Sequence, residues 1–157
     1  MTSPPPLRPG ERRLLIWRQF LVAHSKVTRE LERELMNDVG MPLAWYDVLL
    51  QLAEAPQRRL RMAELAERVL LSRSGLTRLV DRLAAEGLVR REPSPDDARG
   101  TFTVLTAAGV DRLRRAVPGH LAAVQRAFLC HFTDEQLQTL GALLDRVVDD
   151  SAADEPD

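Results

Sequence analysis

The feature that most constrains this chain is a change of period near its middle. Leu76, Leu79, Val80 and Leu83 recur at i, i+3, i+4 and i+7, the apolar stripe of a helix, and Gly87 stops the pattern. "LVRRE" then reads as a strand, and Thr101-Phe102-Thr103-Val104-Leu105 reads as its partner. Between them Pro93, Pro95, Asp96, Asp97 and Gly100 punctuate a loop that carries one long cation, Arg99. A hairpin that directly follows a helix leaves few folds open, and what precedes that helix selects among them.

The preceding elements are helical. Glu11 to about Leu35 carries apolar residues at helical spacing (Leu14, Leu15, Phe20, Leu21, Val27, Leu31) and contains no breaker. Gly40 suits a C-terminal cap, and Pro42 suits the first turn of a second helix with Trp45, Val48, Leu49 and Leu52 on one face. "RLRM" reads as a short extended link, Ala63 to Val69 as a short helix, and "LLS" as a tight turn into a helix over 72–86. From Thr106 the chain is helical again, with Pro118-Gly119 predicting a kink or break near Val117. Thr133 and Gln136 form a capping-box signature ahead of a last helix whose stripe is Leu137, Leu140, Leu144, Val147 and Val148.

A short helix, a tight turn, a second helix and a hairpin make a winged helix-turn-helix. The fold expected is therefore mainly α: a winged helix-turn-helix with a two-stranded β wing, flanked by long helices that form a dimerisation domain. The division expected is a disordered segment over 1–10, an N-terminal dimerisation helix over 11–41 and the DNA-binding region over 42–105. C-terminal dimerisation helices follow over 106–150, and an acidic tail over 151–157.

Net charge argues against nucleic acid until its distribution is read. The chain totals −1, yet residues 56–100 carry +3, residues 101–157 carry −4 and residues 1–55 are neutral. The basic excess thus falls on the helix-turn-helix and hairpin. Only Lys26 among the 22 basic residues is a lysine, so an arginine by itself is no functional flag here. No uncharged apolar run of membrane-spanning length exists, and the prolines of "MTSPPPLRPGERR" interrupt the apolar stretch a signal peptide needs. With a single cysteine, Cys130, the expected location is the cytoplasm.

The helix after the turn has a candidate reading face. Ser72 is placed as N-cap and Arg73 in the first turn, while Ser74, Arg78 and Asp81 point away from the apolar stripe, with Thr77 and Arg82 on its flanks. A small polar surface with arginines admits the helix to a major groove, where arginine pairs bidentately with guanine. A solvated helix face, or a winged helix used for protein contacts without DNA, is the alternative. Beside that helix, Arg99 at the hairpin tip suits the negative potential of a minor groove. Asp97 either braces the wing by accepting hydrogen bonds from a basic neighbour or is an ordinary solvated turn residue.

"LSRSGLTRLVDRLAAEGLVRREPSPDDARGTFTVLTAAG" (Leu71 to Gly109) resembles the core of MarR-type transcriptional regulators. The matching motifs are Asp97-Ala98-Arg99 of the wing, "GLVRR" before it, and the "V-L-T-x-x-G" from Val104 to Gly109. The resemblance implies a homodimer that binds a pseudo-palindromic double-stranded DNA operator, usually as a repressor. It further implies that the first helix and the last two form the dimer interface. A small aromatic or phenolic effector, or an oxidant, is implied to release the DNA. The stripe from Leu137 to Val148, with Phe128 and Phe132, is read as that interface, as internal core, or as both.

Sensing residues are less marked. Trp17, His24, Trp45 and Tyr46 fall on the first two helices, where the family often forms its ligand cleft, and core or interface packing is the plainer reading of each. Cys130 is read either as a redox switch or as a small buried residue. Peroxide-sensing relatives carry their cysteine in the first helix, where this chain has none. His24, His120 and His131 have no metal-ligand spacing, and no phosphate loop or catalytic triad stands out, so neither cofactor, metal nor enzyme activity is expected.

Overall fold

A computed structural model describes residues 9–69, 73–94 and 97–152; for residues 9, 11, 73, 74, 97–99 and 150–152 the backbone alone is described. The helices are α1 (Pro9–Val39), α2 (Leu43–Glu54), α3 (Met62–Arg68), α4 (Arg73–Ala85), α5 (Ala107–Ala127) and α6 (Asp134–Ala152). The strands are β1 (Arg59–Arg61), β2 (Val89–Ser94) and β3 (Asp97–Leu105), ordered β1-β3-β2 in one antiparallel sheet. The chain divides into two compact units, one spanning Leu31–Leu121 and the other joining residues up to Glu30 with those from Ala122 onward.

The Leu31–Leu121 unit has a continuous core. Leu35 of α1, Leu49 and Leu52 of α2, Leu65 of α3 and Leu76, Val80 and Leu83 of α4 are buried together. The predicted α4 stripe is the face that enters this core, with Leu79 half-buried at its margin. On α2 the buried face is Tyr46, Val48, Leu49 and Leu52, while Trp45 is only half-buried. Glu32 of α1 caps α2: its Oε2 accepts the Leu43 N–H at 2.6 Å, a bond the Pro42 ring could not supply.

The junctions of the winged helix are set by two glycines. Gly87, at φ +71°, ends α4: its N–H donates to Ala84 O, and the Leu88 N–H to Leu83 O, each at 2.9 Å. This is the Schellman pattern, which needs a left-handed residue. Gly109 lies against the chain just beyond that cap. A Cβ there would overlap the Leu88 carbonyl and the Leu105 side chain. Thr106 completes the junction, its hydroxyl donating toward the carbonyls of Gly87 and Leu88 and accepting the Gly109 N–H at 3.0 Å. The "T-x-x-G" of the sequence motif is therefore a helix cap and a close approach, both at the return from wing to α5.

Three expectations change. The "RLRM" link contains strand β1, which pairs Arg59, Leu60 and Arg61 with Val104, Thr103 and Phe102, so the wing hairpin belongs to a three-stranded sheet. Pro118 does not break its helix: α5 runs unbroken from Ala107 to Ala127. Proline removes one N–H, and because Arg114 and Pro118 are both exposed, water can satisfy the freed carbonyl. Helix α1 also starts at Pro9 and reaches Val39, longer at both ends than the spacing predicts. The capping box forms as expected, with Thr133 N–H to Gln136 Oε1 at 2.9 Å and Gln136 N–H to Thr133 Oγ1 at 3.3 Å.

The second unit looks different. Along α1, Leu14, Ile16, Trp17, Phe20 and Val22 are all exposed, as are Leu143, Leu144, Val147 and Val148 on α6. Trp17 stacks on Phe20 with ring centroids 5.9 Å apart, and Phe128 meets Phe132 at 5.2 Å. These side chains make apolar surface without a buried core of matching size.

Candidate nucleic-acid interface

The outward face of α4 follows from its inward one. Burial of Leu76, Val80 and Leu83 leaves Thr77, Arg78, Asp81 and Arg82 exposed. Arg73 and Ser74 open the helix, and Gly75 adds little bulk behind them. Ser72, expected as N-cap, lies outside the described residues.

Asp81 would repel a polyanion, but its Oδ1 accepts a hydrogen bond from Arg91 Nη2 of β2 at 2.8 Å. Such an exposed pair adds little stability. Its effect is local: the acid on the exposed face of α4 is balanced, and β2 is tied to α4. Arg91 belongs to the quoted "GLVRR", yet its role is invisible there, because Asp81 sits ten residues away across a helix end.

The wing has an irregular tip. Pro93 pairs with Thr101 whereas Ser94 pairs with Asp97, so residues 98–100 of β3 oppose no residue of β2. Arg99 therefore lies in a bulge, a device that bends a strand and redirects its side chains. Asp97 begins β3 directly opposite Ser94. At the tip end of β2 Arg61 Nη2 donates to the buried Ser94 Oγ at 3.2 Å, so β1 braces the hairpin that carries Arg99. Sequence spacing could not show Arg61 as that brace, because its partner is 33 residues downstream.

The four aromatic and histidine candidates for ligand binding divide between the two units. Trp17 and His24 are exposed on α1, in a row with Phe20 between them. Tyr46 is buried and meets His120, which the sequence reading did not single out for this role, with ring centroids 4.1 Å apart. Among the described residues the His120 Nδ1 finds no hydrogen-bond partner although it is buried, and burial lowers the pKa of the ring. Burial also raises the pKa of Tyr46, with the Glu54 charge adding to the effect. Cys130 is exposed, and its Sγ lies 3.1 Å from the Arg126 carbonyl. Among the described residues no group of His, Cys, Asp and Glu gathers in the manner of a metal site, and no helix is long and apolar enough to cross a membrane.

A helix-turn-helix whose second helix exposes arginines, followed by a hairpin with a basic bulged tip, defines a winged-helix DNA-binding protein. The MarR family profile matches residues 39–100. The chain is 41% identical to Sco3205, a MarR family transcriptional regulator from Streptomyces coelicolor solved in complex with DNA. That match has a TM-score of 0.84 and covers 94% of this chain and 91% of that one. AbsC, another MarR family regulator of S. coelicolor, is 31% identical with a TM-score of 0.84, over 96% of this chain and 99% of its own. The HTH-type transcriptional repressor YetL of Bacillus subtilis is 31% identical over 69% of this chain and 66% of its own length. This chain belongs to the MarR family of transcriptional regulators.

Proposed function

We propose that the protein is a homodimeric repressor that reads a pseudo-palindromic operator and is released by a small aromatic effector in the cytoplasm. The observation that carries this reading is the two-sided α4, with Leu76, Val80 and Leu83 in the core and Thr77, Arg78 and Arg82 exposed beside the wing. Arg78 is assigned to base edges in the major groove, and Thr77, Arg82, Arg73, Ser74 and Ser72 to bases or flanking phosphates. Arg99 is assigned to the minor groove, with Asp97 bracing the wing.

Dimerisation is supported by the apolar surface on α1 and α6. One recognition helix reads only a few base pairs, and a twofold axis doubles the contacts. DNA binding and repression are supported by the relatives, one solved with DNA and one named a repressor. Trp45 and Tyr46 are assigned to the effector, supported by the His120 ring beside Tyr46, and Trp17 and His24 are a separate candidate on the aromatic row of α1.

Genomic footprinting supplies the operator, and gel-shift titration at fixed salt then tests the contacts. Arg99→Ala is expected to weaken binding to many sequences and to lower the salt slope by about one. Arg78→Ala is expected to cost about 1–3 kcal/mol and to relax the base preference. Undiminished operator affinity in Arg99→Ala sinks the wing contact, and a wild-type chain with no preferred DNA site sinks the regulator.

A further inference from the structure

A second basic surface is built on β1, β3 and α3. Arg59 and Arg61 flank the buried Leu60 on β1, so alternation places both on the outer face, where Arg61 pairs with Phe102. Both guanidiniums lie over the Phe102 ring, 4.7 and 5.3 Å from its centroid. Beside them opens a groove of about 340 Å³ lined by Gln57, Arg59, Leu60, Glu64, Arg68 and Phe102. Its lip is formed by an unusual turn, since Gln57 and Arg58 both have positive φ, 54° and 55°. Non-glycine residues rarely adopt that conformation, and its cost is commonly tolerated at binding sites.

The charge of this groove is lopsided. Arg59 and Arg68 line it together with one acid, Glu64, whose Oε2 already accepts the Arg61 backbone N–H at 2.9 Å. Arg59 and Arg61, gathered on one ring, repel each other, and an anion beside Arg59 in the groove offsets that repulsion. The groove is open to solvent rather than enclosed. Small-molecule sites bury most of their ligand, so an open, cation-walled channel suits a polyanionic strand that passes through it. Strand β3 also joins it to the wing: Phe102 is three residues from Arg99, at most about 10 Å of strand, or roughly three base pairs of helical rise.

We propose that this groove is a second DNA-backbone surface, in which Arg59 and Arg68 take phosphates of the operator duplex beyond those touched by α4 and the wing tip. The proposal rests on the regulator reading above. It is tested with full-length protein and the footprinted operator in two duplexes, the core alone and the core extended by flanking DNA. The Arg59→Gln, Arg68→Gln double variant should lose about two from the salt slope, at about 0.9 per phosphate. Between about 50 and 200 mM salt the wild-type chain should then lose about tenfold more affinity than the variant. The wild-type chain should bind the extended duplex more tightly than the core, and the variant should bind both alike with its base preference intact. An Arg59→Lys, Arg68→Lys variant keeps the charge and should keep the slope, which separates phosphate contact from damage to the fold. Normal wild-type operator binding with an unchanged slope in the glutamine variant overturns the groove alone, whereas a wild-type chain without operator binding overturns the functional reading and the groove together.

Discussion

The two units of this protein use the same kind of apolar helix to opposite ends. In the Leu31–Leu121 unit the stripes of α2, α3 and α4 are spent on a shared core, and Leu49, Leu52, Leu65, Leu76, Val80 and Leu83 are fully buried. In the unit made from the first and last parts of the chain, residues of the same type stay in water, with Ile16 65%, Val147 66% and Val148 67% exposed. The patterning is comparable, so helical amphipathicity says that a face will be covered without saying by what. One unit finds its cover within the chain, and the other leaves its stripe exposed, the surface proposed for dimerisation.

Leu83→Ala tests the self-sufficient half and has the largest expected effect on stability. Deleting a fully buried leucine should cost about 2–5 kcal/mol, read as a lower denaturation midpoint. The matching truncation Val147→Ala should change stability of the monomer by no more than about 0.5 kcal/mol. Equal losses at the two positions would erase the contrast.

Val147→Glu with Val148→Glu tests the exposed half. The pair should weaken self-association about a hundredfold or more, because charge would have to be buried or left facing charge. Sedimentation analysis reads this directly. A pair that still dimerises like the wild-type chain moves the interface elsewhere.

The smallest expected effect sharpens the description of the first half. Burial lowers the His120 pKa from its ordinary 6.5, so the folded state favours the neutral ring. As pH falls, the unfolded chain takes up the proton first, so the stability this group supports is full above the unfolded value and declines below it. His120→Gln should therefore flatten the loss of melting temperature between about pH 7.5 and 5.5, a range above the ordinary carboxylate pKa values. An unchanged pH profile would remove His120 from that role.

Much of the fold was legible in the residues. The four-residue logic of Leu76, Val80 and Leu83 picked out the buried face of α4 and with it the exposed Thr77, Arg78 and Arg82. Gly87 marked a helix end, and Thr133 with Gln136 marked a helix start, because caps are made by neighbours within a few residues. The candidate site was legible only where it depended on such neighbours. Arg91 balances Asp81, Arg61 braces Ser94, and Tyr46 meets His120; none of these pairs has a spacing that a periodic pattern reveals.

The sequence by itself determined the element types, their order and the sidedness of the helix assigned to DNA, since helix and turn preferences act over a few residues. The tertiary structure decided what those elements meet. "RLRM" becomes a strand only because β3 lies alongside it, and Pro118 stays inside a helix because it lies where water reaches. Gly109 is needed because the Leu88 carbonyl is pressed against it. The strand pairing and the Gly109 approach are contacts between segments distant in the chain, and their energy belongs to pairs of residues that local periodicity never compares.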